Sequence, residues 1–464
     1  LEVDANNEES AGNADDLNSS RGNGQGASSE ARASGRWIIE AGAVMDAAGV
    51  AARPGVVLID GHRIVAAGDP AEVRETTAAW AGGEHAVVRL PNRLVLPAMV
   101  NTHVHLGLTD VGRQAYPGSF MQWVGLVLAA RPRTEAAVTA AIDAGWRQSL
   151  AAGVGWVGDI FDSPASINAA SAAGVAGVGF VEIIGSKAGD IRNAHAYEQV
   201  GDQAQKQAQQ QAQQQDQQRG SEQVHELVVS LTPHAPYSTH EDLYRRAAAF
   251  AETNDRVIAT HLAELRDELE LIADGTGPFA EAARRFGIDD VLDQAGGGQH
   301  PVDWLLDRCG RPRWLLAHVN YAADAQIERL AEAQAAVAYC PIASEYFGHE
   351  NHRYRDMLDA GVNVTIGTDS IVCQLPDEAQ PLGVMAQVRR LYRRDRMLPA
   401  VLLAMATTHG ARALQLPAGA ATLQPGAPAK LAAVPFNPDD ACDPWVQALS
   451  HDRPMMPITP IMSP

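Results

Sequence analysis

The sequence predicts an α/β fold in which eight strands alternate with helices, and three observations carry that prediction. Eight short apolar runs recur in the middle of the chain: Leu94–His105, Val154–Ile160, Val175–Gly185, Leu227–Thr232, Arg256–Thr260, Trp314–Ala317, Ala336–Tyr339 and Asn363–Ile366. Helical patterns separate most of them, such as the alanine-rich residues 134–152 that end at Gly153, and Pro164–Ala173. Chemically active side chains sit where several of these runs end. Parallel strands buried on both faces read as continuous apolar runs, and repeated βα units imply a parallel sheet. Eight such units fit a (β/α)8 (TIM) barrel, whose functional residues lie at the C-terminal ends of the strands.

The flanks of the chain read differently. Residues 1–35 are rich in Asn, Glu, Ser, Gly and Ala and offer almost nothing large and apolar to bury. They are expected to form a disordered tail. Trp37–Glu40, Gly55–Asp60 and Arg63–Gly68 are short β-type runs, with Asp60-Gly61 as a hairpin turn between the last two. Near the other end, Pro417–Pro435 contains Leu431–Pro435, a run able to return to these strands. The expected organisation is a small β-sandwich composed of residues 36–93 and 411–464 beside a barrel of residues 94–410. A glutamine-rich insertion at 199–223 has no apolar stripe and is expected to be a solvated surface element.

Bulk composition narrows the function classes. The chain has 464 residues, 46% of them hydrophobic, enough for a large core. A formal net charge of -20 argues against a nucleic-acid binder, which needs a basic face. The four cysteines (Cys309, Cys340, Cys373 and Cys442) are far apart with no CxxC pair, so neither a disulfide framework nor a thiolate metal knot is expected. No run approaches the roughly 18–20 apolar residues that span a bilayer, and the first residues carry no basic-then-apolar leader pattern. The expectation is a cytoplasmic protein with no membrane partner.

The chemistry is concentrated at the strand ends. His103 and His105 are two residues apart at the close of the first run, so in an extended strand both imidazoles face one side. His234 follows the fourth run, His261 and Glu264 the fifth, His318 the sixth and Asp369 the eighth. Singly, each has an innocent reading as a core histidine or a helix-capping aspartate. Five histidines and two acids at the same end of successive strands do not. Neutral imidazoles with a carboxylate suit a divalent metal, Zn²⁺ first and Fe²⁺ second.

The segments PAMVNTHVHLGL, TPHAPYST, THLAELRDELE, LAHVNY and TIGTDS resemble, in order, the signature elements of the metal-dependent amidohydrolase superfamily. The match is to its branch of nucleoside and nucleobase deaminases and triazine chlorohydrolases. Cys340–His349 and the stretch HLAELRDELELIADGTGPF are similar to a subgroup that includes aminodeoxyfutalosine deaminase-like proteins. The resemblance implies that His103, His105, His261 and Asp369 hold one metal and that Asp369 also takes a proton from the attacking water. It implies that Glu264 shuttles protons, His318 orients the attacking oxygen and His234 contacts substrate. The expected activity is hydrolytic deamination of an amino-substituted purine, pyrimidine or nucleoside-like heterocycle, with release of ammonia. Alternatives are a chlorohydrolase, an alkylamine hydrolase or an amidase on the same metal site, and a non-catalytic metal-binding homologue. Homo-oligomers such as dimers are common in the family. Departures from its pattern fall at Ile371–Pro376, and at Ile342, Ala343 and Glu345; Glu345 is either a surface charge or a pocket carboxylate.

Overall fold

The computed structural model describes residues 35–80, 83–186, 200–202 and 227–458. The expected tail up to residue 34 and most of the glutamine-rich insertion lie outside the described residues.

Five strands precede the first histidine pair: β1 (Arg36–Met45), β2 (Ala51–Ala52), β3 (Gly55–Asp60), β4 (Arg63–Gly68) and β5 (Ala86–Pro97). Eight more carry the middle of the chain: β6 (Met99–Val104), β7 (Val154–Phe161), β8 (Gly177–Ile183), β9 (Leu227–Pro233), β10 (Val257–Leu262), β11 (Arg313–His318), β12 (Ala336–Tyr339) and β13 (Asn363–Ile366). β14 (Leu431–Pro435) and β15 (Met456–Pro457) close the described chain. The eight apolar runs therefore become eight strands, with ends within a few residues of those expected, apart from the first run, which divides between β5 and β6.

These eight strands form two four-stranded parallel sheets, β6-β7-β8-β9 and β10-β11-β12-β13. All residues of β7 and β10 are buried, which explains why they read as unbroken apolar runs. The two sheets touch at both edges. Between β6 and β13, Val104 bridges Asp369 in parallel register, and the Thr102 hydroxyl donates to the Ile366 carbonyl at 3.0 Å. Between β9 and β10, the Ser230 hydroxyl donates to the Val257 carbonyl at 2.6 Å, and the His261 N–H donates to the His234 carbonyl at 2.9 Å.

The helices between the strands start and stop for local reasons. Thr134 caps Glu135–Ala151 through its hydroxyl, and His240 caps Glu241–Thr253 through Nδ1. Gly275, at φ +71°, ends Arg266–Asp274 in the left-handed conformation that favours glycine.

The terminal strands differ from the expected sandwich. Among the described residues they make one seven-stranded sheet in the order β15-β14-β5-β1-β3-β4, with β2 on β1. β5 is long enough to pair in parallel with β1 on one side and antiparallel with β14 on the other. The two ends of the chain thus hydrogen-bond edge to edge instead of stacking face to face. Alternation sorts the side chains: Trp37 and Ile39 face a cluster with Val95, Leu431 and Ala433, whereas Ile38 and Leu58 face Val73 and Trp80. Leu94 and Leu96 point the other way from Val95, into the main core. The Asp60-Gly61 hairpin and the return of Leu431–Pro435 to this sheet are both present.

Candidate active site

All seven residues singled out at the strand ends meet in one place. His103 leaves β6 with its ring 4.9 Å from His261, 5.0 Å from His105 and 5.2 Å from His318, centroid to centroid. His261 and His318 lie nearly parallel at 5.5 Å, and His234 sits 5.0 Å from His261. Asp369 Oδ1 is 3.4 Å from His105 Nε2 and 4.0 Å from His103 Nε2. Glu264 Oε1 is 3.6 Å from His318 Nε2. Every one except His105 and His234 is buried.

The backbone is bent to achieve this. His318 (φ +69°), Asp369 (φ +59°) and Ala263 (φ +48°) adopt the left-handed region without being glycine. Such conformations cost of order 1–3 kcal/mol each and persist only where the surroundings impose them. At Asp369 the causes are visible. The N–H groups of Thr368 and Asp369 both donate to the His103 carbonyl at 3.0 Å, and the Asn101 amide holds Thr368 through both its side chain and its N–H. Gly367 permits the approach: a Cβ there would stand 2.8 Å from the His103 Cβ and 2.7 Å from the Cys340 sulfur. Gln374 donates to the Thr368 carbonyl from the far side.

Burial sets the protonation states. It pushes His103, His105 and His318 well below the usual imidazole value, and neighbouring imidazoles push them further. Burial alone lowers His234 to about 4, and burial first among several causes lowers His261 to about 4. These are neutral rings with lone pairs to offer. His261 Nδ1 donates to the His234 carbonyl at 2.9 Å, which leaves Nε2 as the free acceptor. Burial also lifts Glu264 well above the carboxylate range, assisted by the charges of Asp369 and Glu268. It lifts Asp369 to about 6 against the N–H of Ser370 and the Cys373 thiol, which lower it.

The donor set fits a divalent cation. Nε2 of His103 and Nε2 of His318 are buried with no hydrogen-bond partner, an expensive arrangement for polar atoms unless something else occupies the space between them. Ligand atoms of His103, His261 and His318 lie within 4.8 Å of one another, as do those of His103, His105 and Asp369, and those of Glu264, His318 and Asp369.

Several contributors escaped the sequence reading. Glu268 is fully buried and accepts the N–H groups of Ala263 and Glu264. A first-turn glutamate at the third helical position, able to reach back, was the signal that could have found it. His352 Nε2 donates to the His318 carbonyl at 2.8 Å and supports that strained residue. Glu345, left open between two roles, is held by Arg390 and Arg394 and is a structural charge.

A wall of packed aromatic side chains begins at His234. Tyr237 packs edge-on against His234 at 5.5 Å and stacks on Phe279 at 4.1 Å. Phe279 meets Phe120, which contacts Trp123 and Phe347, and Tyr116 adds to Phe347. In a chain with only 5% aromatic residues, six from the segments that follow four strands gather here.

The chain is similar to several known proteins. The chain is 27% identical over 374 residues to aminodeoxyfutalosine deaminase of Deinococcus radiodurans, covering 78% of this chain and 82% of that protein. It is 27% identical over 385 residues to 5′-deoxyadenosine deaminase of Methanothermobacter thermautotrophicus, covering 81% and 79%. Its fold superposes on a Xanthomonas campestris adenosine deaminase with bound zinc at a TM-score of 0.65, 20% identity, covering 89% of this chain and 88% of that one. The clustered histidines and the two four-stranded parallel sheets fall within residues 94–454, the part matched by the Amidohydrolase family, and the chain belongs to that family.

Proposed function

We propose that the chain is a hydrolytic deaminase of an amino-substituted purine nucleoside, releasing ammonia. The observation that carries this reading is the pair of buried carboxyl groups flanking the histidine cluster. Glu264 lies 3.6 Å from His318, and Asp369 lies 3.4 Å from His105. Hydrolysis at an amino-bearing aromatic carbon needs one group to accept a proton from water and another to protonate the ring nitrogen. In this reading His103, His105, His261 and Asp369 hold one divalent cation, zinc in preference to iron, which when bound lowers the pKa of water and so supplies the nucleophile near neutral pH.

The chain's own residues do the rest. Asp369 takes the proton released as water adds to the ring carbon. Glu264, kept protonated by burial, delivers a proton to the ring nitrogen. His318 orients the attacking oxygen, and His234 contacts the substrate. A further proton moves to the amino group, the carbon–nitrogen bond breaks, and the oxo product and ammonia leave. Water and substrate account for every atom of the products.

The aromatic wall from Tyr237 to Phe347 suits an apolar substituent better than a phosphate. That favours nucleosides altered at the 5′ position, in line with the names of the relatives. Residues 94–410 are read as a closed (β/α)8 catalytic unit supported by the sheet of residues 36–93 and 411–464. The test is ammonia release by metal-loaded protein from adenosine, 5′-deoxyadenosine, aminodeoxyfutalosine-type compounds, guanine and a pterin. Turnover of a 5′-modified adenosine supports the reading. A metal-loaded protein that releases no ammonia from any of them overturns it.

A further inference from the structure

The peptide groups on both sides of Glu264 are held by the buried side chains of Glu268 and Asn320, with Ser344 behind Asn320, from the segments after three different strands. Glu268 Oε1 accepts the N–H of Ala263 and Oε2 that of Glu264, each at 2.9 Å. On the other side, Asn320 Nδ2 donates to the Glu264 carbonyl at 3.0 Å. Asn320 is itself fixed, because the Ser344 hydroxyl donates to its Oδ1 at 2.8 Å. Glu268 stands in the helix after β10, Asn320 follows β11, and Ser344 lies in the helix after β12. All three side chains are buried.

Ordinary helix capping does not account for the Glu268 bonds. The orphan N–H groups of a helix belong to its first turn. Two of the groups that Glu268 satisfies belong to Ala263 and Glu264, which precede the helix cap at Leu265. Ala263 is also in the left-handed region, a strained turn that a non-glycine residue keeps only under restraint.

We propose that Glu268, Asn320 and Ser344 are positioning residues that clamp the peptide groups flanking Glu264 and so fix its carboxyl group relative to His318. The proposal rests on the deaminase reading only in giving Glu264 its proton-transfer role; the clamp itself is a property of the backbone. Misplacing a catalytic group slows chemistry with little effect on ground-state binding.

The experiment uses the full metal-loaded chain. With 5′-deoxyadenosine, Glu268→Gln and Asn320→Ala are expected to lower kcat about 10–100-fold, with KM within about threefold of wild type and metal content unchanged. Ser344→Ala follows the same pattern, and Ser344→Thr, which keeps the hydroxyl, recovers activity. In a Glu264→Gln background, Glu268→Gln costs nothing further in kcat, because it acts through Glu264. Full additive losses in that background, or an unchanged kcat in Glu268→Gln, overturn the proposal. Amide hydrogen exchange gives an activity-free readout: the Ala263 and Glu264 amides exchange faster in Glu268→Gln, and wild-type protection there also overturns it. If Glu268→Gln does not fold, the Asn320 and Ser344 variants decide by the same kcat and exchange criteria. A wild type inactive on every nucleoside defeats the deaminase reading, while the exchange arm still decides the clamp.

Discussion

His318 Nε2 lies 3.6 Å from Glu264 Oε1, and neither atom reaches water freely because both side chains are buried. A histidine pushed towards neutrality thus faces a carboxyl pushed towards protonation, each mainly by burial. Transfer of the carboxyl proton to the imidazole would create a buried ion pair, which burial of both groups opposes. Glu264→Gln keeps the size and polarity of the side chain but cannot exchange a proton. It is expected to lower kcat about 10²–10⁴-fold, with metal content equal to wild type by elemental analysis. A variant with normal turnover removes Glu264 from the chemistry.

Metal removal is expected to abolish turnover and to lower the melting temperature. A ligand that binds only the folded state adds about 2.7 kcal/mol of stability at a hundredfold excess over its Kd. Dialysis against a chelator, followed by readdition of zinc or iron, distinguishes this from irreversible damage. His103→Ala and Asp369→Ala are expected to purify with little metal and no activity. Normal metal content in both would show that the ion sits elsewhere.

Gly367→Ala tests the contact between β13 and β6. The new methyl group would stand 2.7 Å from the Cys340 sulfur, 2.8 Å from the His103 Cβ and 3.0 Å from the His103 carbonyl. Overpacking of this kind costs about 1–3 kcal/mol, and here one side of the clash carries His103, proposed above to hold the cation. Reduced metal affinity at a melting temperature only a few degrees lower is the expected result. Denaturant melts and metal titration measure the two effects separately.

His352 supplies the pH prediction. Burial, the largest cause, lowers it from 6.5 to about 4 in the folded chain. Its contribution to stability is therefore complete above pH 6.5 and is lost as pH falls from 6.5 through about 4. Glu268, raised by burial to about 7, acts in the opposite direction, and the other histidines lowered by burial act in the same one, so a single melting curve mixes them all. The difference between wild type and His352→Gln isolates the histidine. Gln keeps a donor for the His318 carbonyl, and its advantage over wild type is expected to grow as pH drops through that window. Parallel melting profiles from pH 8 to 4.5 would contradict it.

The middle of the chain was readable because strands buried on both faces read as mostly apolar runs, with few polar residues such as Asp159 and Ser230 inside them. β12 and β13 begin and end where the apolar runs Ala336–Tyr339 and Asn363–Ile366 do. The terminal segments were harder. Their alternation announces strands, but alternation is the same whether two sheets stack or one sheet continues, so the length of β5 decided it. Glu345 was undecidable for a similar reason: a carboxylate in a helix carries no sign of whether Arg390 and Arg394 will reach it.

Local patterning, then, determined which segments become strands and which chemical groups stand at their ends, since both follow from residue order over a few positions. It brought His103, His105, His234, His261, His318, Glu264 and Asp369 to attention by type alone. The tertiary structure decided how they face one another. The hold of the His103 carbonyl on the left-handed turn at Asp369, the buried bond of Asn320 to the backbone of Glu264, and the contact of Phe120 with Phe347 all join residues distant in sequence. Those relations depend on packing between strands, and packing has no local signature.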